Sequence, residues 1–109
     1  MLPTLQEIVD RGGDVDDVLR AVVDVLAGSP QFQWAAVHFL EEGMPVLGPA
    51  SGEPDEARRR VTPIRYQGRQ VGELVVDGET DPALLARVAE LISPHVLLGW
   101  DTGGTRWEP

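Results

Sequence analysis

Trp34, His38 and Asp77 are the side chains whose types and places in this chain could do chemistry. Trp34 and His38 lie four apart in the run WAAVHFL, so in an extended strand, where side chains alternate, both fall on one face. Asp77 closes a second apolar run, QVGELVVD, and stands just before Gly78. An indole can stack on a ligand, an imidazole can move a proton or hold a metal, and a carboxylate can hold a cation. These three residues form the candidate ligand-binding set on one sheet face. Each has a plainer use as well. Trp34 can be core packing, and Asp77 can be a turn or cap residue at a strand end. His38 has no cysteine, second histidine or paired carboxylate at ligand spacing, so neither metal nor catalytic work is expected of it. His95, after Pro94, is far away in sequence. No catalytic residue, metal or cofactor is expected.

Arg58, Arg59, Arg60, Arg65 and Arg69 make one basic island in a chain of formal net charge −9 with no lysine. Guanidinium groups in such a cluster can hold a phosphate, a nucleotide or an acidic partner surface. Equally, they can be a solvated loop balancing Glu53, Asp55 and Glu56, or pair with the acidic first helices of another copy. Those three acids lack the ligand spacing of a calcium loop. The overall acidity argues against nucleic acid and anionic membranes as partners. Cysteine is absent, which removes disulfides, zinc–thiolate sites and thiolate nucleophiles.

These residues need elements to position them. At 109 residues the chain is expected to be one domain. Thr4 is expected to cap a first helix over Leu5–Arg11, ended by Gly12-Gly13. Asp14 begins a second helix to Ala27, with Val15, Val18, Leu19, Val22, Val23 and Leu26 at helical spacing. Trp34–Leu40 reads as a strand with both faces mainly apolar, which suits a central strand covered on both sides. After Glu41-Glu42-Gly43, Met44–Leu47 reads as a short return strand, placed at an edge by Pro45. Gly48–Asp55 has loop composition, and Glu56–Arg60 is open between a helical turn and the start of the next strand. Val61–Tyr66 and Gln70–Asp77 form a second hairpin. Asp81 caps a last helix with Pro82 at its first position, and Leu84, Leu85, Val88, Leu91 and Ile92 supply its stripe. Pro94 predicts a kink, Gly99 an end, and residues 101–109 a flexible tail. No run is long enough for a membrane helix, and MLPTLQEIVD is unlike a secretory leader, so a cytoplasmic protein is expected.

The hairpin pattern Pro63-Ile64, Gly68, Val71-Gly72-Glu73-Leu74 resembles the one that marks most GAF domains, the small-molecule sensing fold. Trp34–Leu40, Val46-Leu47-Gly48-Pro49 and Gly52 further resemble the free methionine-(R)-sulfoxide reductases within that group. The resemblance covers about two-thirds of the chain. It implies an α+β, GAF-like (profilin/PAS-like) antiparallel sheet of four to five strands. The N- and C-terminal helices pack on one face, and the two hairpins meet in the middle. It also implies a ligand pocket built by a middle segment that here is mostly missing. The reductases' loop cysteine falls on Glu56, and of two aspartates that hold the substrate's amino group the first falls on Val75 and only Asp77 remains. Sulfoxide reduction needs a thiolate, so an enzyme is not expected.

Three functions follow as expectations. The first is a reduced GAF-like domain over residues 1–100, non-enzymatic, working as a dimeric interaction or regulatory module. Its interface would be the helices bearing the stripes of residues 15–26 and 84–92, with Met44, Trp100 and Trp107 as further contact candidates. The second is a sensor for an amino-acid or nucleotide-like ligand, with Trp34, His38 and Asp77 facing a shallow pocket. The third is a roadblock/profilin-like scaffold, in which the strands would follow a different order.

Overall fold

The computed structural model describes residues 1–41, 43–79 and 81–106, with side chains described through residue 97. The elements are α1 (Leu2–Arg11), α2 (Val15–Ala27), β1 (Phe32–Glu41), β2 (Met44–Gly52), a 3-10 turn (Glu56–Arg58), β3 (Arg59–Tyr66), β4 (Arg69–Gly78) and α3 (Pro82–Arg106). Asp14 caps α2 as its sequence position suggests, its carboxylate accepting from the Asp16 N–H at 3.0 Å. Asp81 does the same for α3 through the Ala83 N–H at 2.9 Å. α1 departs from expectation. It starts at Leu2 with no side-chain cap, because Pro3 fits a first turn whose N–H groups have no helical partner anyway.

The four strands form one antiparallel sheet in the order β2-β1-β4-β3, so the two hairpins do meet in the middle, through β1 and β4. β2 is longer than its composition suggests. The segment Gly48–Gly52, expected as loop, pairs with β1 from Trp34 to Ala36 beyond an irregularity between Ala36 and His38. Ladder pairing outweighs the turn character of GPASG, and Pro45 and Pro49 are tolerated because β2 is an edge.

All three helices lie on one face. Ala35 and Val37 of β1, Leu74 and Val76 of β4 and Ile64 of β3 meet Leu5, Leu19, Val22, Leu26, Leu85, Val88 and Ile92 in one core with no exposure above 2%. Burying each such side chain is worth about 1.5–3 kcal/mol, and this layer holds the domain together. Gly72 lets α3 come close: a Cβ there would collide with the His38 carbonyl and lie 2.8 Å from Val96 Cγ1. The opposite face of the sheet has no helix among the described residues, contrary to the expectation that β1 is covered on both sides.

The expected break at Pro94 is absent, since α3 is assigned as one helix through it. Proline removes the N–H that would bond the Glu90 carbonyl, and the Ser93 hydroxyl donates to that carbonyl instead, at 3.0 Å. Nor does the helix end at Gly99; its backbone runs to Arg106, into the expected tail. The side chains of Trp100 and Trp107, expected as contact candidates, lie outside the described residues. No helix of the described residues is long and apolar enough to cross a membrane.

Candidate functional site

The sheet register sets the site. Gly52, Trp34, Asp77 and Arg59 form one row across β2, β1, β4 and β3. Trp34 and Asp77, two of the three candidates, are therefore neighbours on the helix-free face, and the chain supplies Arg59 beside them. The Arg59 guanidinium grips Asp77 with two bonds, Nε to Oδ1 at 2.9 Å and Nη2 to Oδ2 at 3.0 Å. Its carbon lies 4.6 Å from the centroid of the Trp34 ring, in cation–π range. Asp77 is fully buried, and Oδ2 also accepts the Asp55 N–H. The Asp55 carboxylate in turn accepts from the Ala57 N–H at 3.2 Å, so one aspartate fastens the whole connection between β2 and β3.

The electrostatics follow from this geometry. Burial pushes the Asp77 carboxyl up, but the hydrogen bonds from Arg59 and Asp55 and the guanidinium charge together hold it below the ordinary carboxylate value. The hydrogen bond to Asp77 raises Arg59, against the opposing effect of desolvation. Glu56 lies 3.8 Å from Arg59 but is 86% exposed, so it adds little. The arrangement is a cation box of carboxylate and indole, filled by a cation from the same chain.

The third candidate is not part of the box. His38 lies in the row Leu47, His38, Glu73, Pro63, with Ala50, Ala36, Val75 and Val61 between. Its Nδ1 is 3.8 Å from Glu73 Oε1, and both side chains are about three-quarters buried. His95 is on α3, on the opposite side of the sheet, so the two histidines do not converge. Among the described residues no three His, Cys, Asp or Glu side chains cluster as metal ligands do. A recess of about 470 Å³ lies between α1 and α3, lined by Leu2, Pro3, Gln6, Arg87, Glu90 and Leu91, on the helical side and away from all three candidates.

Arg59 and Asp55 were not among the expected site residues. Arg59 was visible in the sequence only as one of five clustered arginines. What singles it out is that β3 begins at Arg59 rather than Val61, which brings it opposite Asp77.

No family model and no curated protein sequence matches the chain. Solved structures do. A type II free methionine-R-sulfoxide reductase from Thermoplasma acidophilum superposes with a TM-score of 0.65 at 20% identity, over 84% of this chain and 94% of that one. The corresponding enzyme from Neisseria meningitidis, in complex with its substrate, gives 0.71 at 15% identity, over 91% and 89%. The GAF domain of an Acinetobacter phosphoenolpyruvate-protein phosphotransferase gives 0.70 at 14% identity, over 94% and 95%. At these identities the likeness is one of fold: the chain is an α+β protein with a GAF-like fold.

Proposed function

We propose that this chain is a non-enzymatic GAF-like domain that works as an interaction or regulatory module, docking through the helix-free face of its sheet. One observation carries the reading. An antiparallel sheet with one face in water ordinarily turns polar residues outward. Here the outward rows hold Trp34, Ala36, Leu40, Leu47, Ala50, Val61, Pro63 and Val75, with Leu47 69% and Val61 52% exposed. Such a surface is characteristic of contact sites. The absence of cysteine supports the non-enzymatic part, because the reaction named for the reductase neighbours needs a thiolate.

The helices offer less for a dimer than their stripes suggest. Val18, Leu19, Val22, Val23 and Leu26, like Leu85, Val88 and Ile92, are spent on the domain's own core. The small-molecule reading rests on the cation box. A ligand bearing an ammonium or guanidinium group would fit between Trp34 and Asp77 once Arg59 moved away.

Thermal-shift screening against amino acids, nucleotides and cyclic nucleotides, alongside an assay for methionine sulfoxide turnover, tests the choice. The module reading expects no response from the wild type. Saturable stabilisation that Trp34→Ala or Asp77→Asn abolishes favours the sensor, and turnover overturns the non-enzymatic reading.

A further inference from the structure

We infer that the helix-free face takes an amphipathic helix from another protein, of about fifteen residues, with acidic side chains along the flank that meets β3. The inference rests on the interaction-module reading and names the partner.

Size points to a helix. Four strands about 4.8 Å apart and the seven residues from Trp34 to Leu40 make a face roughly 19 Å by 23 Å. That is roughly 450 Å² per partner, well short of the ~800 Å² per side of a stable protein interface. A second copy laid face to face would therefore hold weakly, and each copy carries a net charge of −9. A fifteen-residue helix is about 23 Å long and about 10 Å wide, which matches the face. An added strand is disfavoured at both edges. β2 carries Pro45 and Pro49 and β3 carries Pro63, and proline has no N–H to give to a ladder.

Charge sets the flank. On the β2 side the row ends are Gly52, Ala50, Leu47 and Pro45, with no charge. On the β3 side Arg58 and Arg65 are exposed near the two ends of the strand, and neither forms an ion pair among the described residues. In so acidic a chain, arginines without an internal partner favour carboxylates from outside. Arg59 is already engaged by Asp77, and Glu73 has His38 beside it, so the middle of the face brings no uncompensated charge to a docked helix.

Two synthetic fifteen-residue peptides test this at physiological ionic strength. Both carry leucines at helical spacing; one has glutamates on its flanks and the other lysines. Titration calorimetry and ¹⁵N amide shifts on the full chain are the readouts. The glutamate peptide should shift Ala36, Leu47, Val61 and Arg65 and bind at least ten times more tightly than the lysine peptide. The domain's net negative charge favours the lysine peptide, so the expected order reports the arginine edge rather than long-range attraction. The double variant Arg58→Glu, Arg65→Glu should reverse it. Equal affinities, shifts confined to the helices, or no binding by either peptide would overturn the inference. If neither peptide binds but the Leu47 and Val61 amides shift on simple dilution, a second copy occupies the face and the module reading survives. If these amides respond to nothing, both readings fall.

Discussion

The two faces of the sheet are built from similar residues and have different fates. The face carrying Ala35, Val37, Leu74, Val76 and Ile64 is sealed by three helices. The face carrying Trp34, Ala36, His38, Glu73, Val75 and Asp77 has only the connection from Glu53 to Arg58 over one end. On the first, helices exclude water from the whole layer. On the second, Ala36, Val75 and Asp77 lose all but 1% of their exposure through neighbouring side chains and that connection, while Leu47 and Val61 stay in water. Burial alone thus does not mark which side of a strand is the core. What separates the faces is whether a second layer of structure lies above.

Truncating one residue on each face is the most direct way to break this comparison. Leu74→Ala should cost about 2–5 kcal/mol, since helices packed against it limit how far the cavity can collapse. Val75→Ala, next in sequence and just as buried, should cost only about 1–2 kcal/mol, the transfer cost of the lost carbons, because nothing rigid lies above it. Urea denaturation of both variants reads the difference. Equal losses would mean that the second face is a core as well.

The Arg59–Asp77 pair sharpens the comparison through pH. Asp77 titrates below its ordinary value of 3.8 in the folded chain, so its contribution to stability is complete above that pH and is lost as pH falls through the lowered value. Arg59→Met leaves a buried carboxylate without its cation, and the melting temperature at pH 7 should fall by roughly 10 °C. Burial then dominates at Asp77 and raises its pKa above the unfolded value. The sign reverses: the penalty is full at neutral pH and shrinks as acid protonates the carboxyl. Melting curves from pH 7 to pH 3 should show the deficit of the variant narrowing. A constant deficit would show that Asp77 is not what Arg59 serves.

Much of this architecture was legible in the residues because local chemistry and periodicity agree there. Asp14 and Asp81 cap where their positions say, the stripe from Val15 to Leu26 is the buried one, and Gln67-Gly68 turns the second hairpin with positive φ at both residues. Errors arose where tertiary contacts outweigh local preference. Gly48–Gly52 became strand through pairing with β1, and α3 passes Pro94 with Ser93 bonding the orphaned carbonyl. At the site, alternation placed Trp34, His38 and Asp77 on one face, but not the grip of Arg59. Register across three strands is a non-local property, and a run of three arginines does not say which one points inward.

The smallest expected change in stability tests the open face most sharply. Leu47 and Val61 stand in the outer strands at 69% and 52% exposure, so replacing either with lysine removes little buried area. Leu47→Lys and Val61→Lys should each shift folding stability by less than about 0.5 kcal/mol, as exposed substitutions generally do. A charged end at either position would have to be buried under any docked partner, which costs far more than it does in water. The two variants should therefore fold normally and lose at least tenfold in affinity for whatever the face binds. Matching substitutions on the exposed side of α2, Asp17→Lys and Asp24→Lys, should leave that affinity alone. If the α2 variants lose binding and the sheet variants keep it, the docking surface is on the helices, and the apolar outer rows are an exposed surface without a partner.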